Sequence, residues 1–430
     1  MIDVQEKPRA YLRLMGLVFL MGIASALVTF IFIALSNQAI SLVWEQGIKA
    51  SGLDPRLFTF IVCSLGGLVV GLLVKVFGDH EGIFFKLMQE FGKTGRFNYK
   101  NAPGILLTAF VSLMSGGALG PEAPLLDACG GMGTLVSDKL KFNEDETRTM
   151  GFAGVSGMLA AFITEPFGGS LLAIESAQSG ASGRKSVYFW MLFPSLLASA
   201  PAMIVFYMLA GEFFGPLFSY PDYTPTMIDL IRAVPLSLVG AFAGVGFMLL
   251  LMRLQGVMQR FKDKLVLRGL IGGLGMGFIG ALLPLTLFAG DGQIDTLVTG
   301  AAALGFATLI LLAVGKLFAT ALLLATGWKG GYIFPILFSA VALGMACQLL
   351  FPNVPLAVNV AAVLAGALVG ALRAPLFAAL FTIIMVNASI TGVVAVAVVC
   401  SAFLVAILAL IQARKQAPQA APETAPESGE

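Results

Sequence analysis

The segment that decides the fold is GPEAPLLDACGG, residues 120–131, which places two carboxylates between prolines and glycines inside a hydrophobic run. Burying an ionised side chain among apolar groups is costly, so intramembrane acids such as Glu122 and Asp127 are functional candidates. Pro121 suits the first turn of a helix, where its missing N–H group is not needed. The segment therefore predicts a helix that begins inside the hydrophobic region, with a carboxylate at its start.

Composition places the chain in a membrane. Of its 430 residues, 58% are hydrophobic and 12% are charged, whereas soluble proteins carry about twice that share of charge. Its apolar runs repeatedly exceed the roughly 20 residues that cross a bilayer, and they do not alternate as the strands of a membrane barrel do. We predict a polytopic all-α membrane protein. The net charge of +2 gives no support to nucleic-acid binding.

Cysteine and histidine give no sign of a disulfide framework, a metal site or a cofactor. The chain has a single histidine, His80, which excludes a metal centre built from several histidines. We interpret the cysteines as small buried residues because they are widely spaced in apolar stretches: Cys63, Cys129, Cys347 and Cys400.

Charge also predicts the orientation and the division of the chain. Basic residues concentrate in some loops and are scarce in others, and basic loops stay in the cytoplasm. The basic segments are 7–13, 86–100, 253–268 and 414–415. Both termini are therefore expected in the cytoplasm. We predict a cytoplasmic leader (1–10), a first membrane repeat (11–210), an extracellular connecting loop (211–227), a second membrane repeat (228–412) and a disordered cytoplasmic tail (413–430).

The two halves of the chain share an ordered set of motifs. Three pairs of segments match at offsets of 211, 211 and 209 residues: 115–116 with 326–327, 120–124 with 331–335, and Gly157…Pro166 with Gly366…Pro375. The second pair is G-x-x-x-P in both halves. Three matches in order at nearly constant spacing indicate an internal duplication.

Duplicated bundles with helices interrupted by glycine and proline are typical of transporters, whose substrate sites lie where the broken helices meet. Backbone N–H groups at a helix start carry partial positive charge and donate to anions. The two G-x-x-x-P segments therefore predict one anion site between two helix starts, although simple helix punctuation would also produce them. The candidate anion-binding residues are Gly120, Pro121, Ala123, Gly331, Tyr332, Ile333 and Phe334.

These motifs resemble those of the CLC family of chloride channels and proton-coupled chloride transporters, over residues 10–412. Residues 120–124, GPEAP, resemble the family's G-[KR]-E-G-P motif, and GYIFP at 331–335 resembles G-x-F-x-P, with a family-like Lys316 upstream. The segments 156–175 and 364–385 resemble the family's matching stretches in each half. The LGPE-x-P variant is similar to that of a bacterial branch of ion-transport proteins.

The resemblance implies a specific fold and activity. The fold would consist of two inverted-topology repeats whose broken helices meet at an anion site near the membrane midplane. Glu122 would be the gate, and the transported species would be Cl⁻ or another halide, with H⁺ as a second candidate. The resemblance further implies a homodimer in a bacterial inner membrane, with one pathway per subunit and dimer contacts along 166–189 and 376–408.

The chain departs from the family at several functional positions. Glu81 stands where the family has an anion-binding serine, and no tyrosine follows Tyr332. Ser176 stands where the family's exchangers have a proton-relay glutamate, with Glu175 one residue away. These differences favour passive or weakly proton-coupled transport over tight exchange.

Four further residues are candidates for a proton pathway or the pore lining: Asp127, Glu175, Glu81 and Lys316. Each has a structural alternative: a packed carboxylate for Asp127, an acid at a helix end for Glu175, loop chemistry for Glu81, and pairing with a buried acid for Lys316. A cation or proton transporter that uses Glu122, Asp127 and Glu175 as a relay remains an alternative. An intramembrane hydrolase is disfavoured, because the acids are mostly glutamates beside prolines.

Overall fold

The computed structural model describes residues 8–80, 82–163, 167, 170–171, 175, 188–211, 223–386 and 388–416. In this part of the chain the regular structure is helical, as the apolar runs predict. The helices are α1 (Pro8–Ser41), α2 (Ile48–Ser51), α3 (Pro55–Phe77), α4 (Phe84–Thr94), α5 (Ala102–Met114), α6 (Glu122–Leu140), α7 (Glu144–Ile163), α8 (Phe193–Ala210), α9 (Met227–Met258), α10 (Leu265–Leu282), α11 (Ile294–Ala325), α12 (Ile333–Leu350), α13 (Leu356–Leu372), α14 (Pro375–Val386) and α15 (Thr391–Gln416).

The outer surface suits lipid. Among the described residues, eight helical segments are long and apolar enough to cross a membrane. Large apolar side chains such as Phe278, Met252 and Phe403 are exposed on the outside, where acyl chains would cover them. The protein is therefore a multi-pass membrane protein.

The two halves repeat one packing arrangement. In the first half α1 packs on α7 and α8, and α6 packs on α7. In the second half α9 packs on α13 and α15, and α12 packs on α13. The starts of α6 and α12 lie 211 residues apart (333 − 122), which is the offset of the sequence motifs. The structure confirms the predicted duplication.

Helix α3 of the first half and α10 of the second half pack closely through small residues. A Cβ atom added to Gly67 would lie 2.6 Å from the carbonyl oxygen of Gly269 and 2.8 Å from the Cα atom of Gly273. Only glycine permits this approach, because no side chain separates the two backbones. Such contacts join the halves without a hydrophobic driving force between helices in lipid.

Two matching turns interrupt the helices near the middle of the molecule. The break between α5 and α6 contains Gly116 with φ of 82°, and the break between α11 and α12 contains Gly327 with φ of 93°. Both values lie in the left-handed region that glycine adopts without strain. The positions are 211 residues apart (327 − 116), so the duplicated sequence specifies the same backbone turn twice.

The predicted segment boundaries differ slightly from the helices. The described part of helix α1 starts at Pro8, inside the predicted leader. Helix α15 runs to Gln416, beyond the predicted end of the second repeat at 412. Residues 212–222 of the predicted connecting loop and 417–430 of the predicted tail lie outside the described residues.

Candidate functional site

The two breaks meet through a pair of backbone hydrogen bonds. The N–H of Gly120 donates to the carbonyl of Gly331 at 3.0 Å, and the N–H of Gly331 donates to the carbonyl of Gly120 at 2.6 Å. This antiparallel bridge holds the two turns side by side. As a result, helices α6 and α12 begin next to each other, one from each half of the chain.

Each helix start presents amide N–H groups that its own helix does not use. Glu122 and Ala123 occupy the first two positions of α6, and Ile333 and Phe334 occupy those of α12. The third residue is proline in both helices, and the next amide already bonds to a carbonyl one turn back: Leu125 to Pro121 and Ile336 to Tyr332. These N–H groups and the helix dipoles therefore favour negative charge at this junction.

A carboxylate occupies this junction. Glu122 is 0% exposed, and its Oε1 accepts a hydrogen bond from the N–H of Ile333 at 2.7 Å. The amide N–H of Phe334 also donates to the carboxylate. Its Oε2 has no hydrogen-bond partner among the described residues. An acid from the first half thus lies on the helix start of the second half.

The glycines at the junction leave the space that this carboxylate fills. A Cβ atom at Gly120 would collide with Oε2 of Glu122, and one at Gly331 would collide with its carboxyl carbon and Oε1. The neighbouring aromatic residues Tyr332 and Phe334 are buried as well: Tyr332 packs on Phe247, and Phe334 packs on Phe162. The carboxylate therefore lies at a fully buried position.

The structure narrows the predicted set of anion-binding residues. The amides of Gly120 and Gly331 are used in bonding to each other, and Pro121 has no N–H group. In this conformation these three residues shape the turns, and their assignment as anion-binding residues stays a prediction. The amide donors that the helices themselves do not use come from the first two residues of each helix. The sequence pattern alone could not reveal the bridge, because it joins residues 211 positions apart.

Lys316 ties a neighbouring loop to the site. It is 0% exposed, and its ammonium group donates to the carbonyls of Thr286, Leu287 and Phe288 at 3.0, 2.9 and 2.6 Å. In the described part of the chain it forms no ion pair, so the alternative in which it pairs with a buried acid is not seen there. The N–H of Phe288 in turn donates to the carbonyl of Gly116 at 3.3 Å, so the loop supports the first break.

The other candidate acids lie apart from one another. Both carboxylate oxygens of Glu175 accept backbone hydrogen bonds at the start of α14, from Leu376 at 2.8 Å and Phe377 at 2.9 Å. Asp127 faces a separate cavity beside α4 and α5. Glu81 and Ser176 lie outside the described residues. The structure does not join Glu122, Asp127 and Glu175 through direct hydrogen bonds.

A basic cavity lies beside the second break. Its volume is about 260 Å³, and Arg268, Lys329 and Asp79 line it together with Gly327. Asp79 bonds to Arg268 at 2.5 Å and lies 3.6 Å from Lys329, so one carboxylate faces two cations. The sequence analysis missed this group. The available signal was Lys329, a lysine two residues before Gly331 in an otherwise apolar motif.

A second missed residue is Asp291, which lies in a short helical turn before α11. Its carboxylate acts electrostatically on both Glu122 and Lys316. The sequence analysis did not single it out. Only the fold brings that turn next to the start of α6.

Comparison with known sequences identifies relatives across most of the chain. Residues 66–406 match the family model described as voltage gated chloride channel. Among the relatives are the YfeO proteins of Escherichia coli and Escherichia fergusonii, which are named as ion-transport proteins. They are 28% identical to this chain over 354 residues, which is 80% of this chain and 81% of theirs.

Solved structures share the fold. A slow cyanobacterial Cl⁻/H⁺ antiporter superposes with a TM-score of 0.79 at 21% identity and covers 95% of this chain and 99% of its own. A CLC-type fluoride/proton antiporter gives a TM-score of 0.75 at 17% identity, with 94% and 97% covered. Because the family model spans most of the chain and the fold agrees, this protein belongs to the voltage gated chloride channel family.

Proposed function

We propose that this protein transports a small inorganic anion, Cl⁻ or another halide, across the membrane, and that Glu122 gates the pathway. The observation that carries the proposal is the bond from the N–H of Ile333 to Oε1 of Glu122 at 2.7 Å. A negatively charged group already occupies the meeting point of two helix starts. A free anion would use the same donors.

The gate follows from competition for these donors. An ionised Glu122 neutralises the positive helix ends and blocks them, so an anion binds only when the side chain leaves. Protonation removes the negative charge that holds the carboxylate on the amides, and the side chain then swings away. Anion binding and protonation of Glu122 therefore favour the same open state.

Two features support a weakly coupled or channel-like version of this transport. Ser176 stands where the family's exchangers carry a relay glutamate, and Glu175 caps α14 through both carboxylate oxygens. The structural relatives named above are Cl⁻/H⁺ and fluoride/proton antiporters, which supports an anion as the substrate. The anion would reach the junction through the basic cavity at Arg268 and Lys329.

The protein would act as a homodimer in a bacterial inner membrane, with one pathway in each subunit and both termini in the cytoplasm. These properties come from the family and from the charge of the loops. Halide flux measured in reconstituted vesicles tests the transport function itself, because it requires no assumption about the dimer.

The test compares wild type with Glu122→Gln in liposomes loaded with KCl or KF, with halide efflux and external pH recorded together. Wild type is expected to release halide. Glu122→Gln is expected to release halide faster, because its neutral side chain does not compete with the anion for the amide donors. Its efflux is expected to be independent of pH between about pH 5 and pH 8, the range in which histidine and perturbed carboxyl groups titrate. Glu45→Gln is the matched control, because Glu45 is an exposed acid in the helical turn that follows α1.

Two results would contradict the transport or the gate, and a third would change the proposed coupling. Wild-type vesicles that retain both halides while a cation or proton flux persists would favour the relay alternative. Halide efflux that is identical in wild type and Glu122→Gln at every pH would remove Glu122 as the gate. A fixed ratio of protons to halides in wild type would replace the weakly coupled version with tight exchange.

A further inference from the structure

Asp127 has no task in the proposed anion pathway. It lies five residues after Glu122 on α6, about 7.5 Å along the helix axis and roughly 140° around it. Its side chain is 3% exposed, and its Oδ2 has no hydrogen-bond partner among the described residues. A buried carboxylate without a donor is costly, so its neutralisation needs an explanation.

The carboxylate lies at the floor of a polar cavity of about 230 Å³, which has room for several waters. Leu87, Ile105 and Phe97 surround the buried end, and Glu90, Arg96 and Asn98 stand at the exposed mouth. The cavity therefore leads from the surface of the loop after α4 to one buried oxygen. An ion that enters from solvent reaches Asp127 without passing Glu122.

The cavity carries excess negative charge. Its lining contains the carboxylates of Asp127 and Glu90 and one cation, Arg96. Arg96 is already paired with Asp138. Glu90 repels the charge of Asp127 and Lys329 attracts it, but Lys329 also interacts with Asp79. No basic side chain of the lining therefore neutralises Asp127 by direct pairing.

His80 also lines the cavity. Its Nε2 lies 2.8 Å from the carbonyl of Phe77, and its Nδ1 lies 3.1 Å from the side-chain nitrogen of Asn101. Both ring nitrogens therefore contact these neighbours and not Asp127.

From these contacts we infer a cytoplasmic cation site in this cavity, with Asp127 as its floor and Glu90 at its mouth, for a hydrated monovalent cation such as Na⁺ or K⁺. Carboxylate, amide and water oxygens suit such an ion. The described residues contain no cluster of three histidine, cysteine or acidic side chains placed to hold a metal, which disfavours a chelated divalent ion. A cation here would add positive charge beside α6, the helix that also carries Glu122.

The site is independent of the proposed anion transport, and its test uses thermal unfolding of the purified full-length protein. The midpoint is measured in NaCl, KCl and N-methyl-D-glucamine chloride at equal chloride concentration and ionic strength. Wild type is expected to unfold about 2 °C or more higher in NaCl or KCl, because a ligand that binds only the folded state stabilises it. Asp127→Asn is expected to lose this difference, and the exposed Asp263→Asn is expected to keep it.

Equal midpoints for wild type in all three chloride salts would overturn the inference. So would an undiminished difference in Asp127→Asn. Because Asp127→Asn could fold poorly, a second measurement uses wild type alone: crystals grown with Rb⁺ or Tl⁺ are expected to give an anomalous peak beside Oδ2 of Asp127. An empty cavity in those crystals would also overturn the site.

Discussion

Glu122 and Gly331 share one small volume. The carboxylate of Glu122 lies where a side chain at position 331 would have to be. The same volume borders the amides at the start of α12. At the scale of single residues, the site therefore requires glycine at position 331 as well as glutamate at position 122.

Gly331→Ala tests this steric requirement. The added methyl group would fill the place of the carboxylate and of any anion that replaces it, so halide efflux is expected to fall about tenfold or more, as overpacking by 1–3 kcal/mol would cause. Gly292→Ala is the matched control, because a Cβ atom there meets nothing within 4 Å. Normal efflux by Gly331→Ala would show that the anion passes elsewhere.

Lys316→Met tests the loop that supports the first break. Three buried carbonyls lose their shared donor, and each orphaned acceptor costs about 1–3 kcal/mol. The variant is expected to unfold at a clearly lower temperature than Lys262→Met, which alters an exposed lysine. A Lys316→Met protein as stable as wild type, with reduced halide flux alone, would instead indicate a direct role in the pathway.

The sequence could predict part of the residue-level picture. Glu122 stands out because an acid beside proline and glycine in an apolar run is rare and costly. Asp291 does not stand out, because it acts through a contact that only the folded chain creates, and Lys329 stands out only as a lysine close to Gly331 in an apolar motif. The hydrogen bonds between Gly120 and Gly331 could not be predicted either, because a G-x-x-x-P pattern does not indicate which groups its amides bond to.

At the scale of helices, Glu175 links the two halves of the chain. Its carboxylate accepts the first amides of α14, some 200 residues away. Asp54 does the same for α3 within its own segment, from Arg56 and Leu57. An acidic cap satisfies orphan donors and complements the helix dipole.

Glu175→Ala is expected to destabilise the protein by about 0.5–2 kcal/mol, the usual cost of losing a helix cap. Asp54→Ala is the comparator and is expected to cost a similar amount. Thermal unfolding in detergent measures both. If Glu175→Ala abolishes proton movement in liposomes while stability is unchanged, Glu175 acts as a relay and not as a cap.

Helix positions were the most predictable level of structure. Long apolar runs specify spanning helices because lipid satisfies no backbone hydrogen bonds, and glycine with proline specifies the breaks. Exact ends were less predictable. The described helical residues already include 8–10 of the predicted leader and continue past 412 to Gln416, because a helix that has formed can be prolonged by polar residues.

At the scale of the whole molecule, the duplicated sequence predicts the architecture because each half specifies the same turns and helix starts. Which helices pack across the halves could not be predicted. That arrangement rests on close contacts such as Gly67 with Gly273, and small residues are spread through the entire chain. The cavity at Asp127 could not be predicted either, because it forms between α4, α5 and α6.

Orientation and assembly give one prediction for the intact protein. The basic loops predict that both termini face the cytoplasm, so a green fluorescent protein fused to either end is expected to fluoresce and alkaline phosphatase fusions to be inactive. Light scattering in detergent is expected to give twice the 45.0 kDa mass of one chain. An active phosphatase fusion at either end would contradict the orientation, and a monomer mass would contradict the dimer.

The most direct measurement concerns the junction of α6 and α12. Crystals of wild type and Glu122→Ala grown in bromide would locate the anion by anomalous scattering. The structure predicts a strong peak in Glu122→Ala within hydrogen-bonding distance of the amides of Ile333 and Phe334, in the place that the wild-type carboxylate occupies. A Glu122→Ala crystal with no bromide at these amides would contradict the assignment of this junction as an anion site.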